Sequence, residues 1–306
     1  MPEFQLYKKR NFSAYINDSI QFFKLYGKNY FKNYIIINGA LLLLICALFY
    51  IVFKDLFSNM GNPTALNNWF LADGNIALAF FVFILFIIIS IVSSILCLGQ
   101  PISYVRLIEK SNKDEFTASE ILQDIMTYAG RMFVFGLISF IVLLPIMFVF
   151  ILIGTMLSLV LVGIPVLIIG IPALIVWSMQ GLLVYIYEES GYFSAMKKAW
   201  KILMSNFWHI VGSSIVVYIL ISIAQSAFNM VPYFTMIGSI VSSGSEFKAP
   251  EFPPYLIFFY VAGILVSYIS LNIFNILQTL IYYSAKEEKE HIQVLSDIEN
   301  IGKNEL

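Results

Sequence analysis

Charge is scarce in this sequence. Of its 306 residues 18 are basic and 19 acidic, 12% together, against about 25% in an ordinary soluble domain. The scarcity is uneven: from Met132 to Tyr187 there is no Asp, Glu, Lys, Arg or His at all. With 59% apolar residues and a net charge of −1, the chain is excluded as a single water-soluble core, as a nucleic-acid binder and as a disordered protein. Cysteine and histidine are nearly missing, at two residues each. Cys46 and Cys97 sit in different apolar runs. The first is ~18 Å from its run's cytoplasmic end and the second is close to that end, a mismatch that argues against a disulfide. Two thiols and the distant His209 and His291 lack metal-ligand spacing, so no metal or other cofactor is expected, and both histidines read as interfacial or solvated. No soluble stretch exceeds about 35 residues, too short for a catalytic domain.

Apolar length is what the sequence has instead. A helix needs about 20 apolar residues to cross ~30 Å of hydrocarbon. Six segments qualify: 34–53, 76–98, 132–153, 156–182, 210–231 and 255–282. The expected fold class is therefore all-α, a polytopic membrane bundle of six helices. The third and fourth spans are separated by little more than Gly154 and Thr155, which predicts a tight hairpin there. Pro145, Pro165 and Pro172 are expected to kink it, and Gly-Ile-Pro recurs at 163–165 and 170–172. No cleavable leader is expected, because the first apolar run is long enough to be retained.

Sixteen of the 18 basic residues fall before span one, after spans two and four, or in the tail; only Lys54 and Lys248 lie on the other side. That bias predicts a multi-pass protein of a bacterial inner membrane with both termini cytoplasmic.

Spans two, four and six each end in a glutamine followed nine residues later by a glutamate: Gln100 and Glu109, Gln180 and Glu189, Gln278 and Glu287. The segments leading into spans one and five also align, with Asn29 over Asn206 and Phe31 over Trp208. These matches predict a single membrane domain, 1–306, of three repeats at 12–110, 116–189 and 190–288, followed by a cytoplasmic tail at 289–306. Each repeat reads as an amphipathic helix followed by a transmembrane hairpin. In the first leading helix Tyr15, Ile16, Ile20, Phe22, Phe23, Tyr26 and Tyr30 oppose Lys24, Lys28 and Lys32. In the third, Phe193, Met196, Trp200, Leu203 and Phe207 oppose Lys197, Lys198 and Lys201. The middle one opens on Thr117-Ala-Ser-Glu120, a capping-box pattern. Such helices read either as elbows that seat the next span or as a surface for anionic lipid or a partner protein.

No ionisable residue lies well inside a span, which argues against proton coupling, intramembrane proteolysis and a metal site. The polar groups there are neutral. Gln100, Gln180 and Gln278 should end at equal depth, with Asn272 and Asn275 near the last of them. They read as interhelical glue, with convergence on a polar site as the alternative. The connections at 54–75 and 232–254 are rich in Asn, Gly, Ser and Pro, and Trp69-Phe70-Leu71 fits a short surface or re-entrant helix. Beyond Tyr283 an acidic stretch precedes Ile292, Leu295, Ile298 and Ile301, a pattern that continues span six.

Around Trp200, Leu203, Asn206 and Trp208, and more weakly around Phe23, Tyr26, Asn29 and Phe31, the chain resembles a loose group of bacterial six-span proteins. The group includes the membrane domain attached to some glycerophosphoryl diester phosphodiesterases and related domains of unknown function. The resemblance implies a membrane module tied to lipid or envelope processes, without the hydrolase activity, since no such domain accompanies the spans. The function expected is thus non-enzymatic: lipid-associated, or a scaffold accessory to an envelope complex, with membrane lipids and other membrane proteins as partners and no nucleic acid. The alternative is a transporter or channel for a neutral or amphipathic solute.

Overall fold

A computed structural model describes residues 4–59, 75–111, 113–242 and 254–291. Among these are seven α-helices and no strand: α1 (Phe12–Asn59), α2 (Asn75–Ser111), α3 (Ala118–Ser158), α4 (Gly163–Tyr187), α5 (Tyr192–Ser205), α6 (Phe207–Ser242) and α7 (Pro254–Glu290). All except α5 are long and apolar enough to cross a membrane. Large apolar side chains are exposed along them, among them Phe81, Phe140, Ile141 and Phe148, a surface that only hydrocarbon solvates without cost. The Trp69-Phe70-Leu71 segment and the apolar positions beyond Ile292 lie outside the described residues.

Three local expectations are revised. First, the leading segments of spans one and three are not separate helices: α1 runs unbroken for 48 residues and α3 for 41. Only the third is distinct, because the backbone leaves helical geometry at Asn206 (φ −141°, ψ 50°). Second, the α3–α4 turn lies at 159–162 rather than at Gly154-Thr155. There the amides of Leu159, Val160 and Leu161 donate three residues back, and Leu161 adopts a left-handed φ of 63°. Leu157 to Val162 offers no Gly or Pro to mark that turn. Gly154 instead allows close helix packing: a Cβ on it would strike the Leu167 side chain of α4. Third, Pro165 falls in the opening turn of α4, where the missing amide costs no helical bond, so only Pro145 and Pro172 are interior to the hairpin helices. In addition, α1 extends to Asn59 and α6 to Ser242, so helix takes part of both expected connections.

The expected capping box opens α3. The Thr117 hydroxyl accepts from the Glu120 amide at 3.3 Å, and the Glu120 carboxylate accepts from the Thr117 amide at 2.8 Å.

By packing, the chain divides into two compact units: Met1–Asn33 with Leu98–Tyr218 and Asn272–Leu306, and Tyr34–Cys97 with Ile219–Leu271. The second has an apolar core of Ile45, Leu48 and Ile89. It also has a polar knot in which the Cys97 thiol donates to Asn38 Oδ1 at 3.3 Å and the Tyr34 hydroxyl donates to the Tyr268 carbonyl at 3.1 Å. Cys46 and Cys97 are both buried free thiols. The first unit holds the candidate site. In it the aromatic face of α1 packs on protein, with Phe22 and Tyr30 fully buried and each edge-on to Tyr104 of α2.

Candidate functional site

Two of the three glutamines meet. Gln180 Nε2 donates to Gln278 Oε1 at 3.1 Å and to the Gln278 carbonyl at 2.9 Å. Gln278 Nε2 donates to Ser214 Oγ at 3.0 Å, and that hydroxyl donates to the Ile210 carbonyl. The chain of bonds joins α4, α7 and α6. Gln100 is tied to α1, where it donates to the Tyr30 carbonyl at 3.1 Å, while the Tyr30 hydroxyl donates to Asn272 Oδ1 at 2.6 Å. Asn275 is buried, and its carbonyl accepts from the Thr279 hydroxyl. All three glutamines have zero exposure, and these bonds run from helix to helix, the pattern of interhelical glue. One acceptor in the seam, Gln180 Oε1, is buried without a donor among the described residues.

A second polar layer joins charged and hydroxyl side chains of α1, α2, α3, α7 and the segment before α1. Asp124 of α3 is buried. It accepts from Ser103 Oγ at 2.8 Å and pairs with Lys110 at 3.3 Å and Arg106 Nε at 3.7 Å, all from α2. Tyr128, one turn on from Asp124, donates to the Gly99 carbonyl at 2.9 Å. Glu109 accepts hydroxyl bonds from Tyr7 and, at 2.6 Å, from Tyr283. Arg10 is buried, its Nε 2.9 Å from Asp18 and its terminal nitrogens on the carbonyls of Gln5, Leu6 and Lys8. Burial lowers the Arg10 pKa, and the Asp18 charge opposes that shift. The Tyr7 hydroxyl is pushed far above its ordinary range, first by burial and then by the bond to Glu109 and its charge. The available signal was spacing: Ser103, Arg106 and Lys110 share one face of α2, as Asp124 and Tyr128 do of α3. Pairing between those faces could not be read from either.

The six lysines of the candidate lipid surface differ in exposure. Lys24, Lys28 and Lys32 stand exposed along α1, as do Lys197 and Lys201 on α5, whereas Lys198 is half-buried and pairs with Glu188. Helix α5 seats its other face through Ala195, Met196, Ala199 and Leu203, all buried. Gly181 of α4 makes room for it, since a Cβ there would strike Met196 Sδ. Of the motif residues, Leu203 is buried, Trp208 is exposed, and Trp200 lies edge-on to Trp177 at 5.7 Å. Asn206 donates to Glu288 Oε2 at 3.0 Å, and the other oxygen of that carboxylate pairs with Lys9. Its counterpart Asn29 remains inside α1, accepting from Tyr104 OH at 2.9 Å and the Phe116 amide at 3.2 Å.

Beside α5 lies a groove of about 320 Å³ lined by α3 (Val142, Leu143), α4 (Trp177) and α5, where Tyr192, Phe193, Met196 and Trp200 are joined by Lys197.

Six apolar helices and a buried seam of neutral amides define the class: a multi-pass, all-α integral membrane protein. Comparison of the chain with protein-family models, with curated proteins and with solved structures gives no match.

Proposed function

We propose that this is a non-enzymatic, lipid-associated protein of a bacterial inner membrane, with both termini cytoplasmic, that gathers anionic lipid at its cytoplasmic face as a scaffold within the envelope. The observation that carries the reading is the row Lys24, Lys28 and Lys32. All three are exposed at a four-residue spacing on α1, while Tyr15, Phe22, Tyr26 and Tyr30 bury the opposite face. Among the described residues none of the three has an ion-pair partner, so their charge is left to an external anion. Near acidic lipid each such lysine contributes about 1 kcal/mol. The resemblance carried by Trp200, Leu203, Asn206 and Trp208 supports the same kind of membrane module. A transporter would need its amides on an open polar path. The seam of Gln100, Gln180 and Gln278 is instead fully buried and bonded to neighbouring helices, which favours a packed scaffold.

The test is lipid analysis of the full chain extracted with native membrane. Phosphatidylglycerol or cardiolipin should be enriched over bulk membrane, and the triple substitution Lys24→Gln, Lys28→Gln, Lys32→Gln should lower that enrichment several-fold without loss of fold. Bulk composition around the unaltered chain would sink the proposal.

A further inference from the structure

We infer that the α3–α4–α5 groove is a site for one glycerophospholipid, its acyl chain against Val142, Leu143, Trp177 and Met196 and its anionic phosphate at Lys197. The inference rests on the lipid-associated reading and assigns it a discrete place. Two polar groups of the groove wall already have protein partners. The Trp177 indole donates to the Met196 carbonyl at 2.9 Å, and the Tyr192 hydroxyl accepts from Ser139 at 3.2 Å. An occupant therefore meets apolar surface along the walls and a single charge at Lys197, which is exposed and has no carboxylate within ion-pair distance among the described residues. The next lysine along, Lys198, is by contrast neutralised by Glu188. A groove of this composition matches an amphiphile with one anionic end. Its volume of about 320 Å³ is at the low end of the ~300–1,000 Å³ typical of small-ligand sites, suited to one alkyl chain rather than a whole lipid. Phe140, Ile141 and Leu144 stand exposed on α3 beside the groove residues Val142 and Leu143, so the lining is continuous with the lipid-facing surface from which a chain enters. Trp200 and Phe193, both exposed on α5, suit the interfacial zone where a phosphate resides.

The groove contains its own reporters. In a Trp69→Phe, Trp208→Phe background only Trp177 and Trp200 remain of the four tryptophans. The full chain is placed in nanodiscs containing either acyl-brominated phosphatidylglycerol or acyl-brominated phosphatidylcholine at equal mole fraction. Quenching should favour phosphatidylglycerol by about fivefold in apparent affinity. Lys197→Gln should abolish that preference and leave residual quenching by both lipids. Val142→Phe, which fills the groove and keeps the charge, should reduce quenching by both. Equal quenching by the two lipids in the parent, or a preference that survives Lys197→Gln, would overturn the site. The broader reading is separable: enrichment of anionic lipid that depends on Lys24, Lys28 and Lys32 persists if only the groove assignment fails, and is lost if the reading itself is wrong.

Discussion

Glu109 shows how much one carboxylate does in this protein. One oxygen accepts from Tyr7, in the segment before α1, and the other accepts from Tyr283 of α7 at 2.6 Å, while Lys286 approaches the Tyr7 hydroxyl at 3.3 Å. Tyr283 is almost fully buried, so without Glu109 its hydroxyl would lose its acceptor. Glu109→Ala should therefore destabilise the protein by about 1 kcal/mol, with water replacing part of the loss on the exposed side; thermal unfolding in detergent measures it. The Tyr7 shift adds a pH signature. Its hydroxyl has a higher pKa folded than unfolded, so the folded state holds the proton more tightly. The stability this gives is complete below a free tyrosine's pKa of about 10 and declines as pH rises above it. Tyr7→Phe should flatten the decline in melting temperature between about pH 9 and 11, and parallel declines in the two proteins would refute the assignment. From sequence, Glu109 was visible only as a marker recurring after a glutamine. Its two tyrosine partners are 102 and 174 residues away, beyond the reach of any local pattern.

At the scale of the element, the paired Gly-Ile-Pro motifs have a packing role. Their glycines, 163 and 170, are seven residues apart and therefore share one face of α4. A Cβ on Gly163 would strike the Gly154 carbonyl and the Ser158 amide, and one on Gly170 would strike the Phe150 ring, both on α3. This is the small-residue contact by which helices approach in lipid. Gly163→Ala should cost about 1–3 kcal/mol, because backbone cannot yield as a side-chain tip can. Gly136→Ala on the same hairpin meets nothing within 4 Å and should be neutral or stabilising by up to ~1 kcal/mol. Comparable losses from both would show that the hairpin is not packed this way. The helices themselves were legible, since apolar length suffices to mark a span. Their ends were not. Asn29 and Asn206 align in sequence, yet Tyr104 and Phe116 hold the first within a helix, whereas the second stands at a break and reaches Glu288. The same residue type takes opposite roles because its tertiary partners differ, and those partners are invisible in an alignment of the two segments.

For the whole molecule, the proposed orientation of the spans rests on the distribution of basic residues. Sixteen of 18 lie in segments that share one side if each span crosses once, and short loops rich in Lys and Arg are retained in the cytoplasm. The described structure adds a reason for that face to remain in water: Asp124 with Arg106 and Lys110, Arg10 with Asp18, and Lys9 with Glu288 are ion pairs in the segments flanking the spans. Carrying such charges into hydrocarbon costs several kcal/mol each. Green fluorescent protein fused after Leu306 should therefore fluoresce, because it matures in the cytoplasm, and alkaline phosphatase inserted at Gly61 should be active, because it folds only on the far side. Adding arginines around 61–68 should weaken that phosphatase activity by setting the first hairpin against the bias of the remaining loops. A fluorescent insertion at Gly61 together with a dark carboxy-terminal fusion would invert the topology, leaving Lys24, Lys28, Lys32 and Lys197 facing a leaflet that lacks the anionic lipid proposed to bind them.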